Sequence, residues 1–262
     1  MFALKCLRPQ LCADAEQFMI GAEDLVHETA ILASLDHRHI IKVRGRAAGP
    51  LAEAFGRNAG YCILLDKLHE TLHERIGVWR RLPQGANGPN APRLEVARAV
   101  AAALTYLHTK GVVFRDLKPP NVGFDGRGVV KLFDFGFAAG LPLKDAANPA
   151  GLLFDKCGTI RYMAPEVGFS SGYGTLSDVY SFGVFFWELC SLEKPFAFIT
   201  SEADFYRDVF VGGQRPELGR RWPAAVRDLI RSCWSTEPGT RPSMIDVESS
   251  LSPLISDISL SK

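Results

Sequence analysis

Residues 112–136 read VVFRDLKPPNVGFDGRGVVKLFDFG, and the rest of the chain takes its meaning from this run. It reads as a loop followed by two short strands, with Asp125-Gly126 marking the turn between them. Three oxygen-bearing side chains stand out in it: Asp116, Asn121 and, thirteen residues further on, Asp134. Upstream, LEVARAVAAALTYLH (94–108) is alanine-rich with helical spacing and predicts a long buried helix. Between that helix and the preceding segment, PQGANGPNAPR (83–93) is a loop by composition. From Ser177 onward the pattern is mostly helical and ends in a serine-rich tail expected to fray.

Working toward the N-terminus, FALKCL (2–7) reads as a strand bounded by Pro9. Over 14–35, Phe18, Leu25, Ile31, Leu32 and Leu35 recur at a spacing compatible with a helix that presents Glu28. Two short strand-like runs follow, at Ile40–Val43 and Tyr61–Leu65. There is no internal repeat.

Bulk properties narrow the function classes. With a formal net charge of +1, no global field draws the chain to nucleic acid or an anionic membrane. Its six cysteines (6, 12, 62, 157, 190 and 233) are scattered without a C-x-x-C pair, which favours reduced thiols and an intracellular, cytoplasmic protein. The N-terminus lacks the apolar core of a signal peptide. Val179–Cys190, the longest apolar stretch, is too short to span a bilayer and reads as a buried core helix.

Phosphoryl transfer asks for metal ions to neutralise phosphates, a carboxylate to orient the attacking hydroxyl, and a lysine to hold the nucleotide. Phe114-Arg115-Asp116-Leu117-Lys118-Pro119-Pro120-Asn121, Asp134-Phe135-Gly136 and Ala164-Pro165-Glu166 supply such groups in one consistent order. On these motifs the chain resembles the protein kinase superfamily over nearly its whole length. SDVYSFGVFFWEL and CWSTEPGTRPSM are similar to the tyrosine-kinase-like group of serine/threonine kinases.

The resemblance implies an α+β, two-lobed fold: a partial small lobe over 1–68 and a mainly helical large lobe over 69–262, joined by a hinge at Asp66–Leu68. It implies ATP and Mg2+ as cofactors, protein serine/threonine hydroxyls as acceptors, no nucleic-acid partner and a monomeric catalytic core. Asp116 would take the acceptor's proton, Lys118 would neutralise the γ-phosphate, and Thr159 would brace the loop. Asn121 and Asp134 would bind metal, and Lys5 would contact the α/β-phosphates with Glu28 as its ion-pair partner. Ala3, Lys5, Leu65, Asp66, Leu68 and Gly123 would form the nucleotide pocket, with Leu65 as gatekeeper. Asp178 would anchor the catalytic loop, Glu166 and Arg241 would form a buried ion pair, and Leu32, Val43, Phe114 and Phe135 would stack as an apolar column. Asp155 would pair with Arg115 as a permanent anion in the activation segment, which holds no serine, threonine or tyrosine between Phe137 and Gly158. Phe137 would favour serine over threonine as acceptor.

Departures are also legible. The sequence starts at the lysine strand, so the glycine-rich loop that covers phosphates in the family is expected to be missing. Gly123 stands where the family commonly has a bulky apolar residue under adenine. Both imply weaker nucleotide binding, and a pseudokinase or interaction scaffold is the main alternative. A remote alternative is a zinc metalloprotease through His69-Glu70-Thr71-Leu72-His73, which fits H-E-x-x-H, with Glu95 as a third ligand.

Overall fold

The computed structural model describes residues 1–7, 15–46, 62–82 and 88–260. Its N-terminal part is a three-stranded antiparallel sheet carrying one helix. Strand β1 (Phe2–Cys6) pairs with β3 (Cys62–Asp66), and β3 pairs on its other side with β2 (Val43–Arg46). Helix α1 (Ala15–Ala33) buries Phe18, Ala22, Leu25 and Leu32, one or two turns apart, so that a single stripe faces inward. Glu28 and Thr29 are buried beside that stripe.

β3 leads through Lys67–His69 into the C-terminal part. There β4 (Glu70–Thr71) is followed by α2 (Leu72–Trp79) and α3 (Ala91–Thr109). β5 (Val112–Val113), β6 (Val122–Phe124), β7 (Val130–Leu132) and β8 (Ala139–Gly140) then form two small sheets, β4-β6-β7 and β5-β8. Asp125 builds the β6–β7 turn by accepting the backbone N–H groups of Arg127 and Val129. The remaining helices are α4 (Pro165–Gly168), α5 (Leu176–Ser191), α6 (Glu202–Phe205), which runs into a π-helical turn at Tyr206–Val211, α7 (Ala224–Cys233) and α8 (Met244–Leu260). Fourteen consecutive residues of α5, Ser177–Cys190, are buried, as its continuous apolar run requires. Among the described residues no helix is long and apolar enough to cross a membrane.

Four expectations change. The serine-rich tail is helical: Met244, Val247, Leu251 and Leu254 recur on one buried face and dock α8 on α3, with Pro253 inside the helix. The loop predicted over 83–93 ends early, because Asn90 caps Arg93 N–H and Pro92 occupies the first turn of α3; residues 83–87 lie outside the described residues. β2 starts only at Val43, while Ile40 and Ile41 turn into the core and Ile40 makes an isolated bridge to Leu132; Tyr61 lies outside the described residues.

The reduced-thiol expectation fails for one pair. Cys6 and Cys62 are disulfide-bonded, with their Cα atoms 4.3 Å apart. Antiparallel pairing sets them directly opposite each other, a closeness that a separation of 56 residues conceals. Cys157, Cys190 and Cys233 are free thiols, and Cys12 lies outside the described residues.

Candidate active site

The loop between β5 and β6 is pinned from below. Asp178, fully buried in the first turn of α5, accepts the backbone N–H groups of Phe114 and Arg115, each at 2.8 Å. His108 Nε2 approaches the same carboxylate at 2.9 Å. Arg115 is thereby held at φ 70°, a left-handed conformation that costs a non-glycine residue about 1–3 kcal/mol. Its strained geometry turns the next residue, Asp116, into the site.

Asp116 is 4% exposed and receives three donors: Asn121 Nδ2 at 2.9 Å, Thr159 Oγ1 at 2.7 Å and Lys118 Nζ at 2.7 Å. Lys118 also donates to Thr159 Oγ1 at 2.8 Å, closing a small network. Gly158 lets this contact form: at φ +92°, its missing Cβ would lie 2.3 Å from the Arg115 carbonyl oxygen. Asn121 spends its amide N–H groups on Asp116, and no donor among the described residues reaches its amide oxygen.

Asp134, at φ 65°, is the second left-handed residue of the site. Lys5 Nζ donates to it at 2.8 Å and to Glu28 at 2.6 Å, so that β1, α1 and the segment after β7 meet in one charged triad. Glu28 is 2% exposed and accepts the Phe135 N–H with its other oxygen. Burial alone would lower the Lys5 pKa; the hydrogen bonds to Asp134 and Glu28 outweigh it and leave the pKa raised. Phe135 meets Phe114 edge to face, centroids 5.1 Å apart, and Leu32 lies in the same core with Val43 packed against it.

Around the proposed nucleotide pocket, Ala3 lies opposite Leu65 across the β1–β3 ladder, and Leu65 is buried. Asp66 holds Arg44 through both carboxylate oxygens. Gly123 is closely neighboured. A Cβ there would sit 2.7 Å from Leu68 Cδ1 and 3.3 Å from a Phe133 ring carbon. Leu68, from the segment after β3, thus packs directly over Gly123.

Arg115 reaches the segment before α4. Its Nη1 lies 2.6 Å from Asp155 Oδ2, and its Nε donates to the Phe137 carbonyl. Tyr173 Oη joins the pair, accepting from Arg115 and donating to Asp155. Burial opposes ionisation of Asp155, but the Arg115 guanidinium and the tyrosine hydroxyl hold its carboxyl below the usual range. Lys5, Glu28, Arg115, Asp134, Phe137 and Asp155 line one cavity of about 560 Å³. Lys118, Pro120, Thr159, Arg161 and Glu188 line a second, of about 310 Å³. Below them Arg241 grips Glu166 bidentately at 2.6 and 2.9 Å, both side chains buried.

The zinc alternative is excluded by helix geometry. H-E-x-x-H needs both histidines on one helical face. Here α2 starts at Leu72 with Thr71 as its N-cap, so His69 lies outside it, and Glu70 belongs to β4 and pairs with Arg75. Sequence reasoning missed Tyr173, His108 and the packing of Leu68 against Gly123. Each acts through a partner distant in the chain, and no local spacing announces it.

Comparison with known proteins agrees with this geometry. The family model described as "Protein kinase domain" matches residues 1–250. A serine/threonine-protein kinase of Arabidopsis thaliana, STY17, is 27% identical over 98% of this chain and 41% of its own length. Another Arabidopsis enzyme, the serine/threonine-protein kinase CTR1, is 32% identical over 88% of the chain and 27% of its own length. Mitogen-activated protein kinase kinase kinase 7 of Bos taurus is 29% identical over 82% of the chain and 34% of its own length. The chain thus spans well under half the length of these curated relatives.

Proposed function

Since this chain belongs to the protein kinase domain family, within the tyrosine-kinase-like group, we propose that it transfers the γ-phosphate of Mg-ATP to serine or threonine hydroxyls of proteins. The observation that carries this reading is the convergence of Lys5, Glu28, Asp116, Asn121 and Asp134, drawn from four separate segments, with the Lys5–Glu28 ion pair already formed and Asn121 bonded to Asp116. Two of these residues' neighbourhoods are strained, with Arg115 and Asp134 both left-handed, which supports a site held in a fixed geometry.

In this reading the acceptor oxygen attacks the γ-phosphorus while the bond to the ADP oxygen breaks, and Asp116 orients the hydroxyl and accepts its proton. Lys118 lies beside Asp116 to balance charge on the transferred group, and Thr159 fixes both. Lys5 turns from Asp134 to the α/β-phosphates while keeping Glu28. Asn121 and Asp134 offer the hard oxygen donors that suit Mg2+, and the ion supplies neutralisation of the phosphates. Ala3, Leu65, Asp66, Leu68 and Gly123 surround the base, with 1–68 and 69–262 as the two lobes. Phe137, 47% exposed at the mouth of the cavity, supports a serine preference by crowding a β-branched acceptor. The test is incubation with Mg-ATP and a balanced serine/threonine/tyrosine peptide library, with chelation as control. Phosphoserine in excess of phosphothreonine, lost with chelation, is expected; phosphotyrosine alone would contradict it.

A further inference from the structure

Beside the segment that joins β3 to β4 lies a cavity of about 600 Å³, separate in its lining from the cavity that holds Lys5, Glu28 and Asp134. Arg38, Arg44, Lys67, Arg127 and Lys131 line it, against two carboxylates, Asp66 and Asp125. Both acids are already engaged. Asp66 is held bidentately by Arg44, at 2.7 and 2.9 Å. Asp125 accepts two backbone N–H groups of its own turn, each at 2.9 Å. Among the described residues Arg38, Lys67, Arg127 and Lys131 form no ion pair. Lys131 donates only to the Arg38 carbonyl oxygen, at 2.5 Å. Burial, only partly offset by Asp125 and Asp66, lowers the Lys131 pKa, and Arg44 and Arg38 lower it further. A formal surplus of three positive charges therefore faces one concave space, with no carboxylate to spare.

A surface patch of this kind is usually left to water. Here the cations come from four segments that converge: the turn after α1, β2, the β3–β4 connection and the β6–β7 hairpin. We propose that this cavity is a binding site for a compact polyphosphate anion, one bearing several phosphate groups on a small frame. The cavity exceeds a single phosphate in size, and a surplus of three positive charges matches several phosphates better than one carboxylate. Arginine forks suit phosphate oxygens, and each such contact is charge-assisted. The ligand would tie the N-terminal sheet to the β6–β7 hairpin beside the connecting segment. The site itself does not depend on the reading given under Proposed function.

The probe is inositol hexakisphosphate, titrated calorimetrically into residues 1–262 without nucleotide at fixed ionic strength. Saturable binding is expected, and Arg38→Gln with Arg127→Gln should weaken it by on the order of 100-fold, since each removes a charge-assisted contact. Both residues are exposed, so the fold tolerates the change. Arg220→Gln, at a distant exposed arginine, should leave affinity unchanged. A parallel arm uses phosphatidylcholine vesicles with and without phosphatidylinositol bisphosphate. Binding to the phosphoinositide vesicles assigns the anion to a lipid headgroup, and binding of the soluble probe alone assigns it to a free polyphosphate. No binding of either probe overturns the proposal. So does binding that survives Arg38→Gln/Arg127→Gln but is lost in Lys5→Met, which would put the probe in the nucleotide site.

Discussion

Leu68 and Gly123 divide between them a space that one bulky residue could have filled alone. In the proposed function, with no side chain at 123, the floor beneath the base would rest on Leu68, which also sits in the connecting segment. Leu68→Ala should therefore weaken Mg-ATP binding roughly fivefold, about 1 kcal/mol for the part of a leucine side chain uncovered. Gly123→Ala should cost less in affinity, because its methyl group displaces the end of the Leu68 side chain, although it also comes within 3.1 Å of the Glu70 carbonyl oxygen. Calorimetric titration of both variants decides this. Asp155 makes a different prediction. Asp155→Ala should lower turnover about fivefold with nucleotide affinity nearly unchanged, because the lost charge-assisted contact orders the segment around Arg115 and touches no phosphate. Equal turnover in the variant would reduce the pair to a surface contact.

Glu188 supplies a pH test. It is 3% exposed, accepts from Tyr162 Oη at 2.6 Å, and faces Arg80 and Lys194. Burial raises its pKa from 4.5 to about 7, with the tyrosine hydrogen bond and the two cations opposing. A carboxyl raised on folding binds its proton more tightly in the folded state, so stability falls as pH rises from about 4.5 to about 7 and is flat above. The total lost is at most about 3 kcal/mol. Glu188→Gln should abolish that slope and leave the variant relatively more stable at pH 8, read by denaturant midpoints across the window. Legibility at this scale divides cleanly. Asp116, Lys118, Asn121 and Asp134 were readable because their spacing is local. Tyr173 and His108 were not, because a hydroxyl or imidazole that completes a network from 58 or 70 residues away leaves no periodic trace.

Among the elements, β1 and β3 show where a local reading stops. Both strands were expected from their apolar runs, and Glu28 was placed on α1 by its helical spacing. Their register was not available, and register is what sets Cys6 against Cys62. The bond staples the strand bearing Lys5 to the strand that ends at Asp66, and closing a long loop is typically worth about 2–4 kcal/mol. Reductant should therefore lower the melting temperature of the wild-type chain and leave Cys6→Ser/Cys62→Ser unmoved. A wild-type melt indifferent to reductant would show the thiols unpaired in solution. The tail shows the reverse error. Its serines suggested fraying, yet Leu251 and Leu254 give α8 a buried stripe, and one apolar face outweighs a polar majority.

At the scale of the whole molecule, the segments that carry charge are far apart in sequence and meet at one place because the fold's rigid parts hold them there. α5 holds the catalytic loop through Asp178, and α1 holds both Lys5 and the backbone of Phe135 through Glu28. The two-lobed α+β class was legible through the family resemblance that the three ordered motifs carry. Which side chains fill gaps left by unusual residues was not, because packing is decided across elements. The central claim is that this convergence performs phosphoryl transfer. The most direct measurement is the rate of γ-phosphate transfer from radiolabelled Mg-ATP to a serine peptide, wild type against Asp116→Asn. Transfer by the wild-type chain with at least a 100-fold loss in the variant, and unchanged Mg-ATP affinity, is the result expected if Asp116 acts on the acceptor hydroxyl. Equal rates in the two proteins, or Mg-ATP binding with no transfer by either, would contradict it.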